Sequence, residues 1–154
     1  MKRKKAVYVG LFVGDEDKRK IRRWYERVSA QPLLPNTFGH HITLKFKPSE
    51  TEMAQLVREP GLGAEVPVTL TAVAGDSKAQ AAVAKLPTGL LSRNPVPHLT
   101  LATSGATKPV YSNELLQGDD VKQLPFAEQL PVKMRLGFFN GKEPQFTEVG
   151  SIYE

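Results

Sequence analysis

Hydrophobic positions recur along this chain with two different periods. Lys5 to Val13 is rich in β-branched and aromatic residues and predicts a buried strand. Gly14-Asp15 ends it, with Asp15 placed to cap a helix. From Glu16 to Ser29, Ile21, Trp24, Tyr25 and Val28 fall at helical spacing. Lys18, Arg19, Lys20, Arg22, Arg23 and Arg27 fill the other face, which predicts a helix with a solvated basic side. Gln31 to Thr37 is a Pro- and Asn-bearing loop, and Phe38 to Phe46 is a strand. Ser49-x-x-Glu52 is a capping box ahead of a short helix that Pro60-Gly61 stops.

The second half is mostly extended. Val66 to Ala74 and Lys78 to Leu86 predict two strands joined by a tight turn at Gly75-Asp76-Ser77. Val96 to Thr103 predicts another, after a loop from Pro87 to Pro95. Tyr111 to Gln117 reads as a short helix. Val132, Met134, Leu136 and Phe138 alternate with Lys133, Arg135, Gly137 and Phe139, a clear strand. Asn140-Gly141 predicts a hairpin turn, with Phe146 to Tyr153 returning as a last strand. Strands paired through turns point to an α+β fold with mostly antiparallel sheets. No linker divides the 154 residues, so one domain spanning 1–154 is expected.

Composition narrows the chemistry. Cysteine is absent, which excludes thiolate catalysis, disulfides and Cys-ligated zinc and fits a cytoplasmic location. No apolar run approaches the ~20 residues of a membrane helix. Met1 to Lys5 is a basic arm rather than a signal peptide, because Tyr8 and Gly10 interrupt the apolar stretch behind it. The net charge of +5 favours anionic partners.

The informative motif is a repeated phrase. His41-Ile42-Thr43-Leu44 and His98-Leu99-Thr100-Leu101 use two of the chain's three histidines. In a strand, residues i and i+2 share a face, so each copy aims an imidazole and a hydroxyl the same way. Two copies facing one groove offer a general base, a general acid and two hydroxyl donors for the charge that grows on phosphorus oxygens. The scheme needs no metal. The copies lie 57 residues apart (98 − 41), which points to a weak internal duplication with two lobes around the groove.

Both copies resemble the 2H phosphoesterase superfamily, defined by paired His-x-Thr/Ser motifs followed by a hydrophobic residue. The stretch Val96-Pro97-His98-Leu99-Thr100-Leu101, with Pro109-Val110-Tyr111-Ser112-Asn113-Glu114-Leu115-Leu116, is similar to the phosphodiesterase domains of RNA-repair and tRNA-ligase proteins. The resemblance implies a bilobed α+β fold, two mostly antiparallel sheets flanking a central groove with helices outside. It implies metal-independent hydrolysis or transesterification of an RNA 2′,3′-cyclic phosphate or related nucleotide phosphodiester. No cofactor is expected, and the chain is expected to be a monomer. His41 and His98 would be the acid–base pair and Thr43 and Thr100 would grip the phosphate. Other readings are degradation of a cyclic nucleotide or oligonucleotide, as in anti-defence phage enzymes, RNA-end joining, and a non-catalytic RNA- or nucleotide-binding module.

Further candidates surround the motifs. Lys45 shares the face of His41 and Thr43 and can add positive charge. Tyr111 can stack on a base, and Ser112 and Asn113 can line the groove or cap a helix. His40 should point away from the groove by strand alternation. Gly61-Leu62-Gly63 lacks the Lys and Ser/Thr of a phosphate loop, and Gly118-Asp119-Asp120 lacks a metal-ligand set.

Overall fold

The computed structural model describes residues 6–58, 61–90, 92 and 96–146. Its strands are β1 (Tyr8–Phe12), β2 (Asn36–Thr37), β3 (His41–Phe46), β4 (Glu65–Gly75), β5 (Ala79–Lys85), β6 (His98–Thr103), β7 (Val121–Gln123), β8 (Leu130–Phe139) and β9 (Pro144–Gln145). The helices are α1 (Asp15–Ser29), α2 (Glu50–Arg58) and α3 (Ser112–Leu115), with single 3₁₀ turns at Pro109–Tyr111 and Phe126–Glu128. The fold is α+β, as the patterning predicts.

The expected pair of sheets is instead one sheet closed on itself. Its order is β4-β5-β6-β3-β1-β8, and β8 returns to β4. Every pairing is antiparallel. Closure depends on the length of β4. Its first half, Glu65 to Leu70, pairs with β8, while its second half pairs with β7 along the same edge. Ring closure leaves no seam between two lobes, and β2, β7 and β9 hang from β6, β4 and β8.

The strands' inward residues join α1 in one core. Val9, Leu11, Ile42, Leu44, Leu99, Leu101, Met134, Leu136 and Phe138 are buried with Ile21, Trp24, Tyr25 and Val28. The helix is tied down by Trp24 Nε1 donating to the Glu128 carbonyl at 2.8 Å and by the Tyr25 hydroxyl donating to the Ala74 carbonyl at 3.3 Å. Four buried side chains at about 1.5–3 kcal/mol each hold α1 far more strongly than an exposed ion pair of about 0.2–1 kcal/mol, the class to which Lys18–Asp15 belongs. A smaller cluster lies on the other face of the sheet. There Ala74, Ala79 and Ala81 are small enough for Leu115 of α3 and Leu116 just after it to pack closely.

Local signals divide into those kept and those altered. The capping box is present, with Ser49 N donating to Glu52 Oε1 at 3.0 Å and Glu52 N to Ser49 Oγ at 3.1 Å. Asp76 Oδ1 accepts from the backbone of Lys78 and Ala79, closing the β4–β5 turn. Asn140 Oδ1 accepts from Lys142 N and Glu143 N, and Gly141 takes φ 96°, as the hairpin requires. Gly14 rather than Asp15 is the N-cap of α1, and no side chain caps it. Among the described residues the last strand is the two-residue β9; positions 147–153 of the expected strand lie outside the described residues, as does the basic arm. β2 and β7 were not legible because each is only two or three residues long.

Candidate active site

The two motif strands are neighbours. β3 and β6 run antiparallel with Ile42 opposite Leu99. Antiparallel order brings His41 toward Thr100 and Thr43 toward His98, so the two His-x-Thr units are related by an approximate two-fold at the Ile42–Leu99 pair. Ile42, Leu44, Leu99 and Leu101 are fully buried, which fixes the register and turns His41, Thr43, His98 and Thr100 to the sheet's other face. There they line one pocket of about 500 Å³ with Phe38, His40, Phe46, Pro109, Val110 and Asn113. The structure therefore brings all four motif residues together.

Each imidazole is held differently. His98 Nδ1 lies 2.7 Å from the Val96 carbonyl, which can only accept, so Nδ1 carries a proton and Nε2 is left for pocket chemistry. His41 packs face to face with Tyr8, ring centres 4.6 Å apart, and the Tyr8 hydroxyl lies 3.4 Å from Nδ1. Its Nε2 lies 3.1 Å from Thr43 Oγ1. Burial, with His40 and His98 nearby, lowers the His41 pKa from 6.5 to about 4. Burial lowers His98 as well, opposed by the Val96 carbonyl, which favours the charged ring. Burial also raises Tyr8 to about 12, so its phenol stays protonated at neutral pH.

The two threonines have different supports. Thr43 faces its own histidine. Thr100 Oγ1 lies 2.9 Å from Ser112 Oγ, and Ser112 is fully buried at the start of α3. Ser112 thus sits behind Thr100 rather than in the pocket, correcting its expected contact with substrate. Tyr111 is also displaced from that expectation. Its hydroxyl donates to Asp76 Oδ2 at 2.6 Å, Lys78 Nζ lies 5.4 Å from its ring centre, and the ring packs on the α3 cluster, outside the pocket lining. This bond anchors the turn that carries Pro109 and Val110.

Two further expectations change along β3. Lys45 lies on the less buried side of the strand, yet Phe46 lines the pocket in its place. The β1–β3 register shifts there: Gly10 pairs with Thr43 but Val9 pairs with Lys45, so the regular alternation fails between them. His40 lines the pocket instead of facing away. It precedes β3, where strict alternation does not apply. The exposed Phe46 and Val110 are pocket residues that the patterning did not single out. Among the described residues, no three of His, Cys, Asp and Glu gather in a group that could hold a metal ion.

Residues 36–130 match the family described as the fungal tRNA ligase phosphodiesterase domain. The chain belongs to that family. The match covers more than half of the sequence and includes both His-x-Thr motifs, Ser112 and the pocket-lining turn, and the family is one of the 2H phosphoesterase-like group. No curated protein is similar enough in sequence to stand as a relative. Among the described residues of this phosphodiesterase-domain member, no helix is long and apolar enough to cross a membrane.

Proposed function

We propose that this protein is a 2′,3′-cyclic phosphodiesterase that opens a cyclic phosphate at an RNA end by paired-histidine acid–base catalysis. The observation that carries the proposal is the convergence of His41, Thr43, His98 and Thr100 on one pocket from adjacent strands. Membership of the tRNA ligase phosphodiesterase family supports it.

In this reading the cyclic phosphate lies between the two His-x-Thr units. One neutral imidazole takes a proton from water as the water oxygen bonds to phosphorus. The other, protonated, gives its proton to the ribose oxygen as the phosphorus–oxygen bond to it breaks. A ring-opened phosphomonoester results. The Thr43 and Thr100 hydroxyls donate to the non-bridging oxygens, where charge increases in the transition state. A phosphate oxygen replaces the His41–Thr43 contact. Exposed Phe46 and Val110 supply an apolar slot for the terminal base, the role first expected of Tyr111. The whole chain acts as one domain.

The test is a panel of RNA oligonucleotides with 2′,3′-cyclic ends, 2′,3′-cyclic mononucleotides, 3′,5′-cyclic nucleotides and cyclic oligonucleotides, each incubated in EDTA. Release of a phosphomonoester from the 2′,3′-cyclic substrates, undiminished by chelation, is the expected result. Strict dependence on added Mn²⁺ or Zn²⁺ would overturn the mechanism. Turnover confined to cyclic oligonucleotides would replace the substrate, and binding without turnover would make the protein a binding module.

A further inference from the structure

Helix α1 packs behind one edge of the pocket. Phe38 and His40 line the pocket, and their rings meet edge to face at 5.9 Å. Directly behind them Arg22 Nη2 donates to the Phe38 carbonyl at 2.9 Å. The Nε of Arg22 is buried and has no hydrogen-bond partner among the described residues. A guanidinium so fixed is a permanent cation beside the pocket mouth. Lys18, one helical turn earlier, and Arg22 are both close enough to oppose the protonation of His40. Lys18 pairs with Asp15 at 3.4 Å, and the Asp15 side chain is 88% exposed, so this contact competes weakly with another anion. Arg19, Lys20 and Arg23 are exposed on the same helix.

The size of the pocket makes this rim informative. A space of about 500 Å³ suits a ligand of about one nucleotide. A longer strand must therefore cross the rim, and each additional nucleotide carries one phosphate across it. Two cations beside the opening, Arg22 and Lys18, with exposed Arg19 and Arg23 further round the same helix, fit that spaced negative charge better than they fit a compact cyclic nucleotide.

We propose that the Lys18–Arg23 face of α1 is a docking surface for the sugar-phosphate backbone of the RNA strand leading to the cyclic end. The inference rests on the cyclic phosphodiesterase reading above and adds substrate selection to it: polymer ends are preferred over free cyclic nucleotides. Arg22 anchors the rim, while Lys18, Arg19 and Arg23 meet the phosphates.

The experiment compares kcat/KM for a 2′,3′-cyclic mononucleotide and a ten-nucleotide RNA ending in the same cyclic nucleotide, over a series of salt concentrations. The oligonucleotide should be preferred at low salt, and its kcat/KM should fall more steeply with salt. Lys18→Ala/Arg19→Ala/Arg23→Ala should cut that preference by about tenfold, the loss of a few phosphate contacts. Alanine favours helix, so α1 should survive, and an unchanged melting temperature checks this. Lys85→Ala/Lys133→Ala/Lys142→Ala removes the same net charge elsewhere and should keep the preference. Equal salt slopes for the two substrates, or an undiminished preference in the α1 variant, would overturn the docking surface while leaving the enzyme reading intact. Absence of turnover with both substrates would instead sink the enzyme reading.

Discussion

At the scale of single residues, His41 is the most constrained group in the pocket, with both ring nitrogens in contact and Tyr8 stacked on its face. Replacing His41 or His98 with Ala is expected to lower kcat by at least about 10², the usual loss for a positioned acid or base. His40 lines the pocket but heads no motif, so His40→Ala should act mainly on KM. A kcat loss at His40 equal to that at His41 would mean that the wrong pair has been assigned. The pH profile follows from the depressed histidines. Above their lowered values both rings are neutral and the acid lacks its proton; below about 4, His41 too is charged and no base remains. In the free protein kcat/KM should therefore peak on the acid side of 6.5 and above about 4. The apparent limbs belong to the coupled pair. In kcat the profile should move to higher pH, because bound phosphate favours the charged ring. A kcat/KM profile flat from pH 4 to 8 would count against paired histidines, provided chemistry limits the rate. Ser112 offers a separate test. Its hydroxyl is placed to hold Thr100 Oγ1, so Ser112→Ala should reduce kcat more than it raises KM. In a Thr100→Ala background the same change should add little. Full additivity would reduce Ser112 to a packing residue.

At the scale of elements, the site depends on how closely β1 approaches β3. A Cβ at Gly10 would sit 2.6 Å from the Ile42 carbonyl oxygen, beside His41. Backbone cannot swing aside as a long side chain does. Gly10→Ala should therefore destabilise the fold by about 1–3 kcal/mol, an overpacking cost, and lower turnover by displacing His41. Wild-type stability by denaturant titration would show that β1 has slack there. The pairing of β1 with β3 also explains how much of this region was legible. Alternation located the strand and the motif face from sequence. The register shift that exchanges Lys45 for Phe46 in the pocket arises from pairing with a distant strand, and no local pattern encodes it. Tyr111 makes the same point, since its partner Asp76 lies 35 residues away in the β4–β5 turn.

At the scale of the whole molecule, the ring of β4-β5-β6-β3-β1-β8 takes strands from both motif halves. Each half supplies hydrogen bonds that the other lacks, and the main core cluster runs from Val9 to Phe138. The chain should therefore unfold in one cooperative step, with far-ultraviolet circular dichroism and Trp24 fluorescence coincident. Two separated transitions would restore the picture of independent lobes. The depressed histidines add a pH dependence. Between about 4 and 6.5 the unfolded chain binds more protons than the fold at His41, so stability should rise with pH across that window.

The sequence by itself determined the α+β class, the main strands and α1, and the four motif residues, because strand and helix periods are local properties and His-x-Thr encodes a shared face within three positions. Tertiary structure decided the rest. It closed one ring where two sheets were expected, buried Ser112 behind Thr100, tied Tyr111 to Asp76, and brought His40, Phe46 and Val110 to the pocket. These outcomes depend on which distant strand pairs with which, and on the space left after the apolar faces are buried. That choice is made by the whole chain's packing rather than by any short segment.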